Sequence, residues 1–276
     1  MSETPGRDAP IGIFDSGVGG LTVLAALRAR LPHESFIYLG DTARLPYGTK
    51  SRTTVSRYAR QASQVLVKRG VKMLVIACNT ASAVARDELA EHFSPLPLLG
   101  VVEAGAAAAC KASRNGQIAV IGTESTIRGG AYERAIARRR PEATVVGRAC
   151  PLFVALAEEG WCEGVIPMAV AQRYLQDLRP SSRDGLDCLV LGCTHFPVLR
   201  EALANVMGPD VALVDSAETT AAAVAERLAD EDLLAPIDAK PEVTLLATDG
   251  PERFARVGAR FLGMDLRSDA VSLVDL

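Results

Sequence analysis

Aromatic side chains are scarce in this sequence, 5% of 276 residues, although 49% of the chain is apolar. That balance leaves Val, Leu and Ala to build the core, as strands covered by helices require. Positive charge is nowhere concentrated. Lys and Arg number 30 against 33 Asp and Glu, a formal charge of -3, and the one basic run, Arg138-Arg139-Arg140, reads as a solvated helix end. The electrostatic footprint of a nucleic-acid binder is therefore missing. No apolar run approaches the roughly 18 residues that span a bilayer. Met1 to Ala9 is polar and lacks a hydrophobic segment after a basic start, so the expected location is the cytoplasm. The six cysteines (78, 110, 150, 162, 188 and 193) contain no CxxC pair, which favours reduced thiols over a disulfide framework. None of the five lysines (50, 68, 72, 111 and 240) stands at a strand end, so pyridoxal phosphate has no evident anchor.

What the sequence does contain is alternation. Ile11 to Phe14, Phe36 to Leu39, Met73 to Ala77 and Leu98 to Val102 read as strands. Leu21 to Leu31, Ser51 to Arg69 and Thr80 to His92 carry helical spacing between them, with Gly70 as a stop. The pattern repeats with strands at Ile118 to Ile121, Ala143 to Val146, Leu189 to Gly192 and Val211 to Val214, and a helix over Pro197 to Met207. The repeats lie at similar offsets. Ile11 and Ile118 are 107 apart (118 minus 11), and Cys78 and Cys193 are 115 apart (193 minus 78), which implies two related halves. The expectation is an α/β protein of two pseudo-symmetric, doubly wound parallel-sheet domains with the active site in the cleft between them. One domain takes residues 1–100 plus 215–276, the other 101–214. The returning segment supplies a helix from Ala217, a strand at Val243 to Ala247 and a helix through Phe254 to Leu262.

Two cysteines end matched strands, in Val75-Ile76-Ala77-Cys78-Asn79-Thr80 and Val190-Leu191-Gly192-Cys193-Thr194-His195. Strand ends of a parallel sheet converge on one crevice, so thiols from distant segments can face each other across a bound molecule. A thiol works as a base only when ionised, and the positive end of a following helix favours that anion. Cys110, Cys150, Cys162 and Cys188 lack this setting and read as structural. Zinc ligation by Cys188, Cys193 and His195 is disfavoured, because residues five apart on a strand point to opposite faces. Asp15-Ser16-Gly17-Val18-Gly19-Gly20 follows a strand and opens a helix. It lacks the GxGxxG and GK[ST] spacings of nucleotide sites, so a carboxylate is the better guest. Ser16, Asn79, Thr80, Thr123, Thr126 and Thr194 offer polar partners at strand ends, and Pro46-Tyr47-Gly48 can present backbone N–H groups. Asp41 ends a strand toward the same crevice, with turn capping an equal reading. Asp15, His195 and Glu158 are candidate assistants in proton transfer, whereas His33 and His92 read as exposed helix ends. Opposed thiols beside such groups suit removal of a proton from one face of a carbon and delivery to the other, with no cofactor and no metal.

Together these motifs resemble the glutamate racemases of bacterial cell-wall synthesis. The resemblance runs from residue 10 to 265 through Ile11 to Val23, Gly40 to Gly48, Ala77 to Ala81 and Leu191 to Pro197. It implies interconversion of L- and D-glutamate without a cofactor, supplying D-glutamate for peptidoglycan. Cys78 would take the α-proton of the D-isomer and Cys193 that of the L-isomer. Asp15 and His195 would assist the nearer thiols, and Glu158 would orient His195. Substrate contacts would fall on Asp15, Ser16, Tyr47, Gly48, Asn79, Thr80, Thr126, Thr194 and His195. The expected partner is the small-molecule substrate, with no nucleic acid and no membrane, and the expected assembly is a homodimer or a monomer–dimer equilibrium. An aspartate racemase, whose substrate is one methylene shorter, is the nearest rival. Gyrase binding, known in some members, finds no support in the charge pattern.

Overall fold

The computed structural model describes residues 5–178 and 185–276, so the first four residues of the polar N-terminal stretch lie outside the described residues. Ten strands are present among the described residues: β1 Ile11–Asp15, β2 Phe36–Gly40, β3 Met73–Ile76, β4 Leu98–Gly100, β5 Gln117–Gly122, β6 Thr144–Ala149, β7 Cys188–Gly192, β8 Ala212–Asp215, β9 Val243–Ala247 and β10 Val271–Leu273. Every pairing is parallel. They form two sheets, ordered β10-β9-β2-β1-β3-β4 and β6-β5-β7-β8. With β9 and β10 set aside, the first sheet reads β2-β1-β3-β4, and the second repeats that order position for position. The cysteine-bearing strands β3 and β7 are therefore equivalent, in keeping with the sequence offsets.

Alternation along each strand divides the core. Ile11, Ile13, Met73 and Val75 join Leu21, Leu24 and Leu27 on one face of the first sheet. Phe14, Leu74, Ile76 and Cys78 join Val55, Ala59 and Leu66 on the other. Burial on both faces is why these strands read as unbroken apolar runs. In the second sheet Cys188 and Val190 face one way, while Leu189, Leu191 and Cys193 face the other, as the strand period requires.

Helices wind between the strands. The helix Arg52–Lys68 starts because the Ser51 hydroxyl accepts the Thr54 N–H at 3.3 Å, and it buries the stripe Val55, Ala59, Ala62 and Leu66. It ends before Gly70, whose φ of +73° suits a residue without a side chain. The chain then returns late to the first sheet. β9 pairs with β2, β10 with β9, and the helix Pro251–Leu262 packs on Leu21–Arg30.

Three expectations need correction. Leu98 to Val102 is not one strand: β4 stops at Gly100 and the helix Val101–Ala112 begins at once. A short apolar run does not distinguish buried strand from buried helix, and the N–H of Val102 is taken by the Ser82 hydroxyl at 3.3 Å. Pro197 to Met207 divides into a 3-10 turn, Phe196–Leu199, and the helix Arg200–Met207, a tight start of the kind common at helix entries. His33 is half-buried in a loop, not an exposed helix end, whereas His92 is exposed at the close of the helix Asn79–His92.

Candidate active site

The ends of β1 and β3 assemble the first half of the site. Asp15, 1% exposed, turns its Oδ2 onto the backbone N–H groups of Gly17 and Gly20, both at 3.1 Å, while the Tyr38 hydroxyl donates to the Gly17 carbonyl at 2.9 Å. The Ser16–Gly20 turn is thereby wrapped around a buried carboxylate. A Cβ on Gly20 would fall 2.6 Å from the Asp15 side chain, so only glycine permits the wrap. Burial raises the Asp15 pKa above the ordinary carboxylate value, against the opposing pull of His195 and the backbone N–H groups. Its Oδ1 is buried without a partner. Cys78 caps the helix Asn79–His92, accepting the Ala81 N–H at 3.4 Å and lying 3.3 Å from the Ser16 hydroxyl. Burial, reinforced by the negative charge of Asp15, pushes this thiol up to about 12, and the Cys193 sulfur adds to the effect.

β7 supplies the second half. Cys193 is not followed by a full helix end, only by the 3-10 turn, so the dipole expected there is short. An imidazole takes its place. Nδ1 of His195 lies 3.8 Å from Sγ of Cys193, and Nε2 lies 3.1 Å from Oε1 of Glu158 on the helix Leu152–Glu159. Burial alone would lower the His195 pKa, but its bonds to Cys193 and Glu158 outweigh that and hold it at about 10. These bonds favour the protonated imidazole. The same bond to His195 keeps the Glu158 pKa below its ordinary value, with Arg253 contributing at 2.6 Å.

Close contacts join the halves. A Cβ on Gly19 would fall 2.4 Å from the His195 ring and 2.6 Å from the Thr194 hydroxyl, so the β1 turn lies directly on the β7 end. The Thr22 hydroxyl donates to the Thr194 carbonyl at 3.1 Å. Thr80, Thr123 and Thr126 share their hydroxyls within 3.0 to 3.3 Å, and Tyr132 donates to Oδ1 of Asn79 at 2.7 Å. Nδ2 of Asn79 is left buried without a partner.

Comparison with known proteins identifies the family. The profile of the Asp/Glu/Hydantoin racemases matches residues 22–224. The glutamate racemase of Geobacter metallireducens (strain ATCC 53774 / DSM 7210 / GS-15) is 52% identical over 253 residues, 92% of either chain. This chain belongs to the Asp/Glu/hydantoin racemase family. A second family member, the glutamate racemase of Syntrophus aciditrophicus (strain SB), is 50% identical over 257 residues, 93% of this chain and 94% of that one. The crystal structure of glutamate racemase from Francisella tularensis subsp. tularensis SCHU S4 in complex with D-glutamate superposes with a TM-score of 0.88 at 37% identity, over 98% of both chains.

Within the racemase fold the expected site residues gather, with one change of emphasis. Cys78, Cys193, Asp15, Ser16, Asn79, Thr80, Thr126, Thr194, His195 and Glu158 all lie in the contacts just described. Gly48 abuts Thr123, where a Cβ would come within 2.8 Å. The Tyr47 hydroxyl, however, is committed to Asp41, which also holds Arg44 at 2.7 Å and Thr248 at 3.0 Å. Asp41 is thus a buried anchor for the turn, and Tyr47–Gly48 can offer substrate only backbone. Sequence reading missed Tyr38, Tyr132 and Arg253. No local motif marks them, because their partners lie 21, 53 and 95 residues away.

Proposed function

We propose that this chain interconverts L- and D-glutamate by proton transfer between Cα and two cysteine sulfurs, without a cofactor, and so supplies D-glutamate for peptidoglycan. The observation that carries the reading is the pair of thiols at equivalent strand ends, each with its own electrostatic setting. Cys78 is held protonated beside Asp15, whereas Cys193 faces an imidazole whose protonated form is favoured.

That setting corresponds to one starting state. Cys193 as thiolate takes the α-proton of L-glutamate, forming S–H and leaving the electron pair in an enolate. Cys78 as thiol gives its proton to the opposite face and becomes thiolate. The reverse reaction needs Cys78 ionised, and the substrate helps: its ammonium beside Asp15 neutralises the charge that opposes ionisation. Unpartnered Oδ1 of Asp15 and Nδ2 of Asn79 are one acceptor and one donor, matching an ammonium and a carboxylate. Backbone N–H groups opening the helix Asn79–His92 favour the developing enolate.

The test is Cys78→Ser and Cys193→Ser, followed by chiral chromatography. Each substitution should lower turnover about 10²- to 10⁴-fold with the fold intact, since a hydroxyl is a far poorer base. Full activity in either variant would end the paired-thiol reading. Equal turnover of aspartate would end the glutamate assignment. Failure to support growth of a D-glutamate auxotroph would refute the cell-wall role.

A further inference from the structure

We propose that Arg253 is a positioning residue for proton transfer at Cys193: it fixes one oxygen of Glu158 so that the other holds His195 against that sulfur. The assignment rests on the two-thiol reading and extends it to a residue outside every motif of the sequence.

Glu158 occupies an unfavourable place. It lies in the last turn of the helix Leu152–Glu159, where the backbone dipole repels a carboxylate. Cations from a single distant helix compensate. Arg253 donates to Oε2 of Glu158 at 2.6 Å, leaving Oε1 for His195 at 3.1 Å. Arg260 donates to the carbonyls of Ala157 and Glu158 at 3.2 and 3.0 Å. Room for that guanidinium exists because the residue that follows the helix is Gly160; a Cβ there would lie 2.5 Å from it. Phe261 meets the His195 ring edge-on, centroids 5.1 Å apart. Residues 253, 260 and 261 are seven and eight apart, which places them on one face of the helix Pro251–Leu262. The buried side chains of that helix belong to the core of the first sheet, and its arginines reach Glu158 on the second half of the chain. Carboxylate, helix end and imidazole are thus held from one rigid element.

The side chain of Arg253 is 51% exposed, and an ion pair so open to water contributes little to stability. Its removal should release the carboxylate while sparing the fold. L- and D-glutamate are equal in free energy, so kcat/KM falls equally in both directions in any variant. Half-reactions are needed to separate the thiols. In deuterated water, Cys78→Ser retains Cys193 and should exchange the α-proton of L-glutamate, while Cys193→Ser retains Cys78 and should exchange that of D-glutamate. In each case Cα–H is broken, the thiol trades its hydrogen with solvent, and Cα–D forms on the same face.

Arg253→Gln is added to both backgrounds and exchange is followed by proton NMR. The expected result is a roughly 10- to 100-fold slower exchange of L-glutamate, the scale of a small misplacement of a reacting group, with D-glutamate exchange unchanged. Arg253→Lys, which can still reach Oε2, should restore most of the loss. Undiminished L-exchange in Arg253→Gln would overturn the assignment alone, as would equal loss from both thiols, which would mark a structural role. Absence of exchange from both single-cysteine proteins would overturn the two-thiol reading and this assignment with it.

Discussion

At His195, burial and bonding act in opposite directions, and the balance should set the pH dependence of stability. Its folded pKa is raised from 6.5 to about 10, so its contribution is fully present below pH 6.5 and is lost as pH climbs toward 10. Glu158 behaves oppositely: its folded pKa is lowered from 4.5, so its contribution is present above that value and disappears as acid protonates it. The expected result is a melting temperature that declines from pH 6.5 upward in the parent and far less in His195→Gln. Readings below pH 8 keep Cys78 and the other buried thiols out of the comparison, because an unfolded thiol with its ordinary value of 9.0 is still almost wholly protonated there. Gly19 offers a second test. Gly19→Ala drives a methyl to within 2.4 Å of the imidazole and should reduce kcat about 100-fold with little change in the circular dichroism melt. The two cysteines were legible from their strand-end settings, and Asp15 and His195 from standing beside them. Glu158 was a candidate assistant from its residue type, but its task of orienting His195 entered only through the family resemblance. Arg253 was illegible, since its meaning depends on a carboxylate 95 residues away.

Among the elements, the strands buried on both faces were the easiest to read, because nothing interrupts their apolar runs. β10 escaped notice: it has three residues, two of them exposed, and carries no such run. The Val101-Val102 pair misled for a related reason, as β-branched residues after a strand extend its pattern even where the backbone has begun to coil. Helix starts were legible where a cap is written in the sequence. Ser51→Ala should cost about 1 kcal/mol, read from the shift of the urea midpoint, because it removes the acceptor for the Thr54 N–H. The entry into Phe196–Leu199 had no comparable signal.

Over the molecule as a whole, the late return of the chain is fastened by a buried ion pair that composition conceals. Lys72, 1% exposed, lies 2.6 Å from Glu34 and donates to the carbonyls of Arg7 and Leu233, while Glu34 accepts the Ala235 N–H at 2.8 Å. Residues near the N-terminus, beside β2, before β3 and ahead of β9 thus meet at one buried point. Lys72→Met strands a carboxylate in the interior and should lower unfolding free energy by about 3–5 kcal/mol, measured by chemical denaturation. The double variant with Glu34→Leu should recover much of that loss. The repeated strand order has a geometric consequence of its own. A planar carbon has two sides, and a half-turn about an axis lying in its plane exchanges them. Two like-ordered sheets related by such a turn would bring the same strand end to opposite sides of one atom, as the proposed two-thiol reaction requires. Handedness can then be inverted by a site made entirely of L-residues, with neither enantiomer treated as the foreign one.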